Sequence, residues 1–346
     1  MKETIFEKYE FLSIVSGIED TVAYGDLLSY NLNLAGNSVE TSHLKHDKNL
    51  QIKTLHDNNI PAPKNISLDL NPVDKKQIVN ISKTLDYPII VKPSLNGSSS
   101  IGVKKCTNKQ EFLEYFAKDS IASTFKKSFS NFCIQEFLDG NEIVIDTISH
   151  NGRHYLTSCW VYTKHHINNI PVYRSARCLS LLDDITLKSF EYTKRVLDAI
   201  DYKNGFAHTE LILSPEPKLI EVNPRTSGVF GAFNNDTSAL GYIHQASKYC
   251  QLLLDKELAS PQCNPTANRE VYFFYNFSNY TKTEFECFIS SITNTEILII
   301  NENAIVTDTI SLSDCYAILL INTDSKNLTN EIMLKINNFE KGNNNA

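Results

Sequence analysis

The chain has 346 residues, 42% apolar and 21% charged, with 33 basic against 40 acidic side chains and a net charge of −7. That length exceeds what one compact core usually holds, so two or three lobes are expected, and the acidic balance argues against a general nucleic-acid surface. The chain lacks a run of about 18 apolar residues, and its charged start MKETIFEKYEF is unlike a secretory signal, so neither a membrane span nor export is expected.

Taken in chain order, Thr41 to His56 has a helical pattern, stopped by the prolines of Asn58-Asn59-Ile60-Pro61-Ala62-Pro63. Residues 73–86 predict an amphipathic helix, with Ile78, Ile81 and Leu85 on one face. Pro88-Ile89-Ile90-Val91-Lys92 reads as a buried strand, followed by a small-residue loop and a second strand, Ile101 to Cys106. Strand, loop, strand differs from the strand, loop, helix of a P-loop. Further helices are expected over 109–118, 185–200, 238–255, 281–291 and 326–339. Further strands are expected over 132–137, 142–149, 155–164, 270–275, 296–300 and 316–321. The eight cysteines are scattered without a CxxC pair, which suits reduced thiols in a cytoplasm better than zinc or disulfides.

Two strands meet at Ser214-Pro215-Glu216-Pro217. With Ser214 opposite Pro217, Glu210 faces Glu221, and His208, Glu210, Glu221, Asn223 and Arg225 share one side. Directly opposed Cβ atoms lie about 4.5–5.5 Å apart, so two carboxylates there repel unless a cation intervenes. Two Glu and one Asn form an oxygen-only set suited to a hard ion such as Mg²⁺, with Mn²⁺ as an alternative. The plainer reading is a solvated charged face; the apolar flanks Leu211, Ile212 and Leu213, and Leu219, Ile220 and Val222, argue for a buried hairpin, where bare carboxylates are costly. Lys92 with the loop 94–102 could place one cation and several donors on a phosphate chain, or be an ordinary polar turn. Ile134-Gln135-Glu136-Phe137-Leu138-Asp139-Gly140-Asn141-Glu142 could offer backbone groups to an adenine edge, or be an edge strand with its turn.

In this order the pieces resemble the ATP-grasp superfamily, and more closely its carboxylate–amine ligases of the L-amino-acid (dipeptide) ligase kind. The matching text is His46-Asp47-Lys48, Asn59 to Pro63, Tyr87 to Pro93, Gly97 to Val103, Gln135 to Glu142, Ala207 to Glu210 and Leu219 to Arg225, within a span of roughly 17–250. The resemblance implies an α+β (α/β) ATP-grasp fold, two lobes clasping ATP. The expected division is a remnant of a preceding lobe at 1–46, a grasp core at 47–255 (small lobe about 75–138, large lobe about 139–255) and a terminal α+β module at 268–346.

It also implies roles. Lys48 and Lys92 would reach the phosphates, the loop carrying Gly97, Ser98, Ser99, Ser100 and Gly102 would cover them, and Gln135, Glu136, Phe137 and Leu138 would hold adenine. Glu142 would bind ribose; Glu210, Glu221 and Asn223 would hold Mg²⁺; Arg225, with Lys92, would be catalytic. Arg174 and Arg177 are candidate carboxylate clamps by bidentate pairing, with exposed loop arginines as the plainer reading; Tyr162, Lys164 and Tyr173 lie in the same acceptor-side segment. His208 could support the metal or simply be packed, and the latter is expected. Val229, four residues after Arg225, leaves room for a larger substrate side chain.

The expected activity is amide or peptide bond formation through an acyl phosphate, on small-molecule carboxylate and amine substrates. A glycinamide-ribonucleotide-synthetase-like or biotin-carboxylase-like ligase is a variant of this reading. Only 46 residues precede Asp47, whereas relatives carry about 100, so a second reading is a catalytically impaired ATP-binding scaffold. That protein would lack its own substrate lobe and work as a homo-oligomer or beside a complementing subunit.

Overall fold

The computed structural model describes residues 9–71, 75–95, 102–117, 130–167, 170–227, 238–256, 262–264, 266–304 and 314–342. The expected phosphate-loop residues Gly97, Ser98, Ser99 and Ser100, and Val229, lie outside them.

An N-terminal segment leads through a short 3₁₀ turn, Glu19–Thr21, into helix α1 (Val22–Asn31). Helix α2 (Lys48–Asp57) follows; its N-cap Asp47 accepts from the backbone N–H groups of Asn49 and Leu50 at 2.9 and 3.3 Å. Such a cap stabilises a helix by about 1 kcal/mol.

The small lobe is a four-stranded antiparallel sheet, ordered β1-β4-β2-β3, built from β1 (Asn65–Asp69), β2 (Ile89–Pro93), β3 (Lys104–Cys106) and β4 (Asn131–Glu136). Alternation divides its faces. Ile89, Val91, Phe132 and Ile134 pack with Ile78 of α3 (Lys75–Ser82) and Phe112 of α4 (Lys109–Tyr115), while the opposite parity carries Ile90, Lys92, Cys133 and Gln135.

The large sheet has eight strands in the order β11-β12-β10-β7-β6-β5-β8-β9. Its centre is β5 (Asn141–His150), β6 (Arg153–Ile167), β7 (Ile170–Cys178), β8 (Gly205–Ser214) and β9 (Glu216–Asn223), packed on α5 (Asp184–Ala199) and flanked by α6 (Gln245–Leu253). The terminal segment has its own core around Phe274, Phe285, Leu319 and Ile336. It also extends the same sheet: β10 (Asn268–Phe274) pairs with β7 and β12 (Ala317–Thr323), and β12 pairs with β11 (Thr295–Ile300). Helices α7 (Lys282–Ser290) and α8 (Lys326–Glu340) cover it. The step from β4 to β5 joins the lobes at Gly140, where an added Cβ would lie 2.2 Å from the Leu213 carbonyl oxygen. No helix among the described residues is long and apolar enough to cross a membrane.

Candidate active site

The β8–β9 register places Glu210 directly across from Glu221 and His208 across from Asn223, as the parity argument requires. The turn itself departs from expectation. Ser214 pairs with Glu216 and Leu213 with Pro217, one residue off the predicted frame, and a bulge restores the offset between Leu211 and Glu210. The residue passed over is Ile220, and its carbonyl accepts a hydrogen bond from Lys92 Nζ at 3.0 Å. A bulge frees backbone groups from the ladder; here the lysine of the small lobe uses one.

Lys48 opens α2 and pairs with Glu221 at 2.7 Å, both side chains nearly buried. Two contacts aim it there. Gln51, one turn along the same helix, donates to the Val222 carbonyl at 3.0 Å and accepts from the Val222 N–H at 3.0 Å, so α2 is stitched to the edge strand β9. Ser94 donates its hydroxyl to Asp47 and its N–H to the Asn131 carbonyl, fixing the same helix end to the small lobe. Asp47 stood in the matched His46-Asp47-Lys48 text and Ser94 in the 94–102 loop, each without a role of its own; Gln51 gave no signal.

Charge is distributed to suit this geometry. Burial opposes ionisation of Glu221, but Lys48 and Lys92 more than offset it and hold the carboxyl down at about 2. Burial works against the Lys48 ammonium, and Glu221 outweighs it, so its pKa is raised. Lys92 lacks so close a carboxylate, and burial draws its pKa below the ordinary lysine value. Asn223 donates to Glu221 at 3.2 Å, which leaves its amide oxygen for another cation.

His208 is more than a packed ring, contrary to expectation. Its Nδ1 lies 2.7 Å from buried Asp146, its Nε2 3.6 Å from Glu210, and Asp146 also accepts from the Ser158 hydroxyl at 2.6 Å. Burial disfavours the imidazolium, yet Asp146 prevails and raises its pKa to about 9. Each of the two facing glutamates therefore has a protein cation beside it.

Further along this face, Glu142 pairs with Lys164 at 2.7 Å, and the Lys164 ammonium lies 4.2 Å from the Tyr173 ring centroid. Burial, with Glu210 and Glu221 nearby, raises the Glu142 pKa against the pull of Lys164. In the small lobe the side-chain Nε2 of Gln135 is buried without a hydrogen-bond partner among the described residues. Glu136 pairs with Lys218 at 2.8 Å, tying β4 to β9, and Lys105 stacks 3.5 Å above Phe137. Leu138 is half-buried beyond it, and Gly102 adopts φ +73° at the start of β3.

Arg225 donates to the Thr226 carbonyl at 2.8 Å and pairs with Glu19 at 3.3 Å. Glu19 was not singled out from sequence. Burial raises its pKa, Glu221 adds to this, and Arg225 and Lys48 counter it.

Arg174 and Arg177 are not brought to this face. They sit on a strand rather than a loop, and Arg174 is the residue passed over in a β6–β7 bulge between Ser175 and Tyr173. Its guanidinium is bound to Glu340, to Tyr272 and, at 2.8 Å, to Asn337 of α8. Arg177, opposite Val161, lines with Arg174 a cleft of about 460 Å³ between the back of the sheet and α8.

A hard cation fits the front face: two directly opposed carboxylates and a spare amide oxygen are a suitable donor set. Among the described residues no three His, Cys, Asp or Glu side chains cluster closely enough to hold an ion by themselves. The unpartnered Gln135 amide is a ready donor for a base edge.

Residues 85–232 match the family profile described as an ATP-grasp domain. Over 265 residues it is 27% identical to dapdiamide A synthase of Enterobacter agglomerans, covering 74% of this chain and 60% of that one. Over 157 residues it is 29% identical to a D-alanine–D-alanine ligase of Fervidobacterium nodosum, covering 42% of this chain and 48% of that one. The chain thus spans about half to three-fifths of the length of these relatives. Its fold resembles the crystal structure of an L-amino acid ligase from Bacillus licheniformis, with TM-score 0.70 and 18% identity over 96% of this chain and 80% of that one. It also resembles an Aspergillus carboxyaminoimidazole ribonucleotide synthase in complex with ATP, with TM-score 0.67 and 13% identity over 92% and 81% of the two chains. The fold is ATP-grasp.

Proposed function

We propose that this chain is an ATP-dependent carboxylate–amine ligase acting on an amino acid. The observation that carries the reading is the pairing of Lys48 with Glu221 directly opposite Glu210, with Lys92 bonded to the neighbouring Ile220 carbonyl where the small-lobe strand β2 comes against the large-lobe strand β9, and Arg225 beside them on Glu19. Phosphoryl transfer asks for little else than placement and charge neutralisation.

Lys48 and Lys92 hold the phosphate chain, Gln135 to Leu138 the adenine and Glu142 the ribose. Glu210, Glu221 and Asn223 would hold Mg²⁺, which when bound neutralises phosphate charge. A carboxylate oxygen of the substrate bonds to the γ-phosphorus, the bridge to the β-phosphate breaks, and ADP leaves an acyl phosphate. The nitrogen of the amine substrate then bonds to the acyl carbon. The carbon–oxygen bond to phosphate breaks, and phosphate departs with the amine's proton. Arg225 stabilises the oxyanion of that second step, and its charge is permanent. A cytoplasmic setting and small-molecule substrates belong to the same reading.

Glu221→Ala tests it. The variant should retain the fold and lose ATP-to-ADP turnover with the enzyme's substrates. Turnover at the wild-type rate would remove Glu221 from the site.

A further inference from the structure

The cleft behind the large sheet has no part in the chemistry above. It lies between β6, β7, β10 and α8, and its volume of about 460 Å³ falls within the roughly 300–1,000 Å³ of small-molecule sites. Four of its lining side chains are basic, Arg174, Arg177, Lys326 and Lys341, and one is acidic, Glu270, in a chain whose net charge is −7. These cations are not equivalent. Arg174 is committed to Glu340, Tyr272 and Asn337, which fastens α8 to β7. Lys341 follows the last residue of α8, about 22 Å along the helix from Lys326 at its first.

The Arg177 end is open. Arg177 is half-buried and faces Glu270 directly across the β7–β10 ladder, yet neither is in an ion pair among the described residues, although Glu270 is only 5% exposed. Burial raises the Glu270 pKa against the pull of Ser175, Arg177 and Lys326, which lessens its repulsion of a second anion. Lys326 opens α8, where the helix dipole disfavours a cation, so the helix itself does not account for it. Beyond this end the lining includes Val161 from the sheet and Met333 and Leu334 from α8, and Leu334 is 59% exposed.

A cationic end beside apolar walls is complementary to a molecule with an anionic head and an apolar body. We propose that this cleft binds a small amphipathic organic acid, its carboxylate or phosphate head received by Arg177 and Lys326 and its body laid against Val161, Met333 and Leu334. Arg177 offers two parallel N–H donors to such a head, and Lys326 a point charge. The sheet separates the cleft from the Glu210–Glu221 face, so the acid and a nucleotide bind together, whether or not the chain is a ligase.

The test is calorimetry on the full chain with Mg²⁺ and a saturating non-hydrolysable ATP analogue, which fills the phosphate-binding front face. The probes are phenylacetate and phenyl phosphate, one for each head group, with phenylacetamide as the body alone and acetate as a head alone. The better of the two acids should bind with a Kd of about 1 mM or below. It should exceed the amide and acetate by about 10- to 100-fold, the range for one charged hydrogen bond. Arg177→Gln should abolish the margin over the amide and leave binding of the ATP analogue as it was. Leu334→Glu should weaken the acids and the amide alike. If Arg177→Gln does not fold, Lys326→Met and Leu334→Glu, both at exposed positions, carry the same comparison of head and body. An amide bound as tightly as the acids, a margin unchanged in Arg177→Gln and Lys326→Met, probe binding that the ATP analogue displaces, or no binding of either acid overturns the proposal.

Discussion

Asp146→Asn isolates the charge network behind Glu210. The substitution keeps the side chain's size and an acceptor for Ser158 but removes the anion 2.7 Å from His208. In the folded protein the His208 pKa is raised from 6.5 to about 9. A raised folded-state pKa contributes stability that is fully present below the unfolded value near 6.5 and is lost as pH climbs through 9. At about 1.4 kcal/mol per unit, the full contribution is about 3 kcal/mol near pH 6, about 2 at pH 7.5 and under about 0.5 at pH 9. Because His208 and Asp146 are both buried, solvent screening removes little of it. Urea unfolding of both proteins at pH 6, 7.5 and 9 reads the difference directly, since groups untouched by the change cancel. The gap between wild type and Asp146→Asn should narrow across that range. A gap that is constant with pH, or that widens, would refute a proton held between Asp146 and His208.

Three other substitutions probe the frame. Gln51→Leu leaves the Val222 N–H and carbonyl without their partners; it should cost about 2–4 kcal/mol in unfolding free energy and raise the KM for ATP, because Lys48 loses its guide. Gly140→Ala puts a Cβ where 2.2 Å separates it from the Leu213 oxygen; displacing the lobe junction by an ångström should lower kcat/KM about a hundredfold. Arg174→Ala strands Glu340 and should destabilise the protein by about 3–5 kcal/mol, visible in chemical denaturation, with the KM values of both substrates unchanged. A raised KM at undiminished stability would return Arg174 to the substrate.

The opposition of Glu210 and Glu221 was legible because it depends on parity, and parity survives local error. The predicted turn was one residue out, yet Ile220 bulged from the ladder and Glu210 still met Glu221. Strands with continuous apolar runs, such as β2 and β8, were legible for the same reason. β7 was missed: its sequence IPVYRSARC carries a proline and two arginines, which read as loop, and pairing on both sides overrides that. β1 was missed too, because NISLD is five residues with a single buried side chain. The long helix expected over 41–56 begins in a 3₁₀ turn, Ser42–Lys45, and becomes α-helical only after the Asp47 cap. Arg174 and Glu19 mark the limit of a one-dimensional reading. The partners of Arg174 lie about 100 and 166 residues away, and Glu19 meets Arg225 across 206. Contacts at such separation follow from topology, and no local pattern encodes them.

The central claim is tested most directly by incubating the purified chain with ATP and Mg²⁺ against single and paired amino acids, following phosphate release and the mass of the product. The account predicts that at least one pair releases phosphate and yields the amide joining its two members, with ADP formed in equal amount. Tight ATP binding with no release from any pair would contradict it and favour an ATP-binding scaffold.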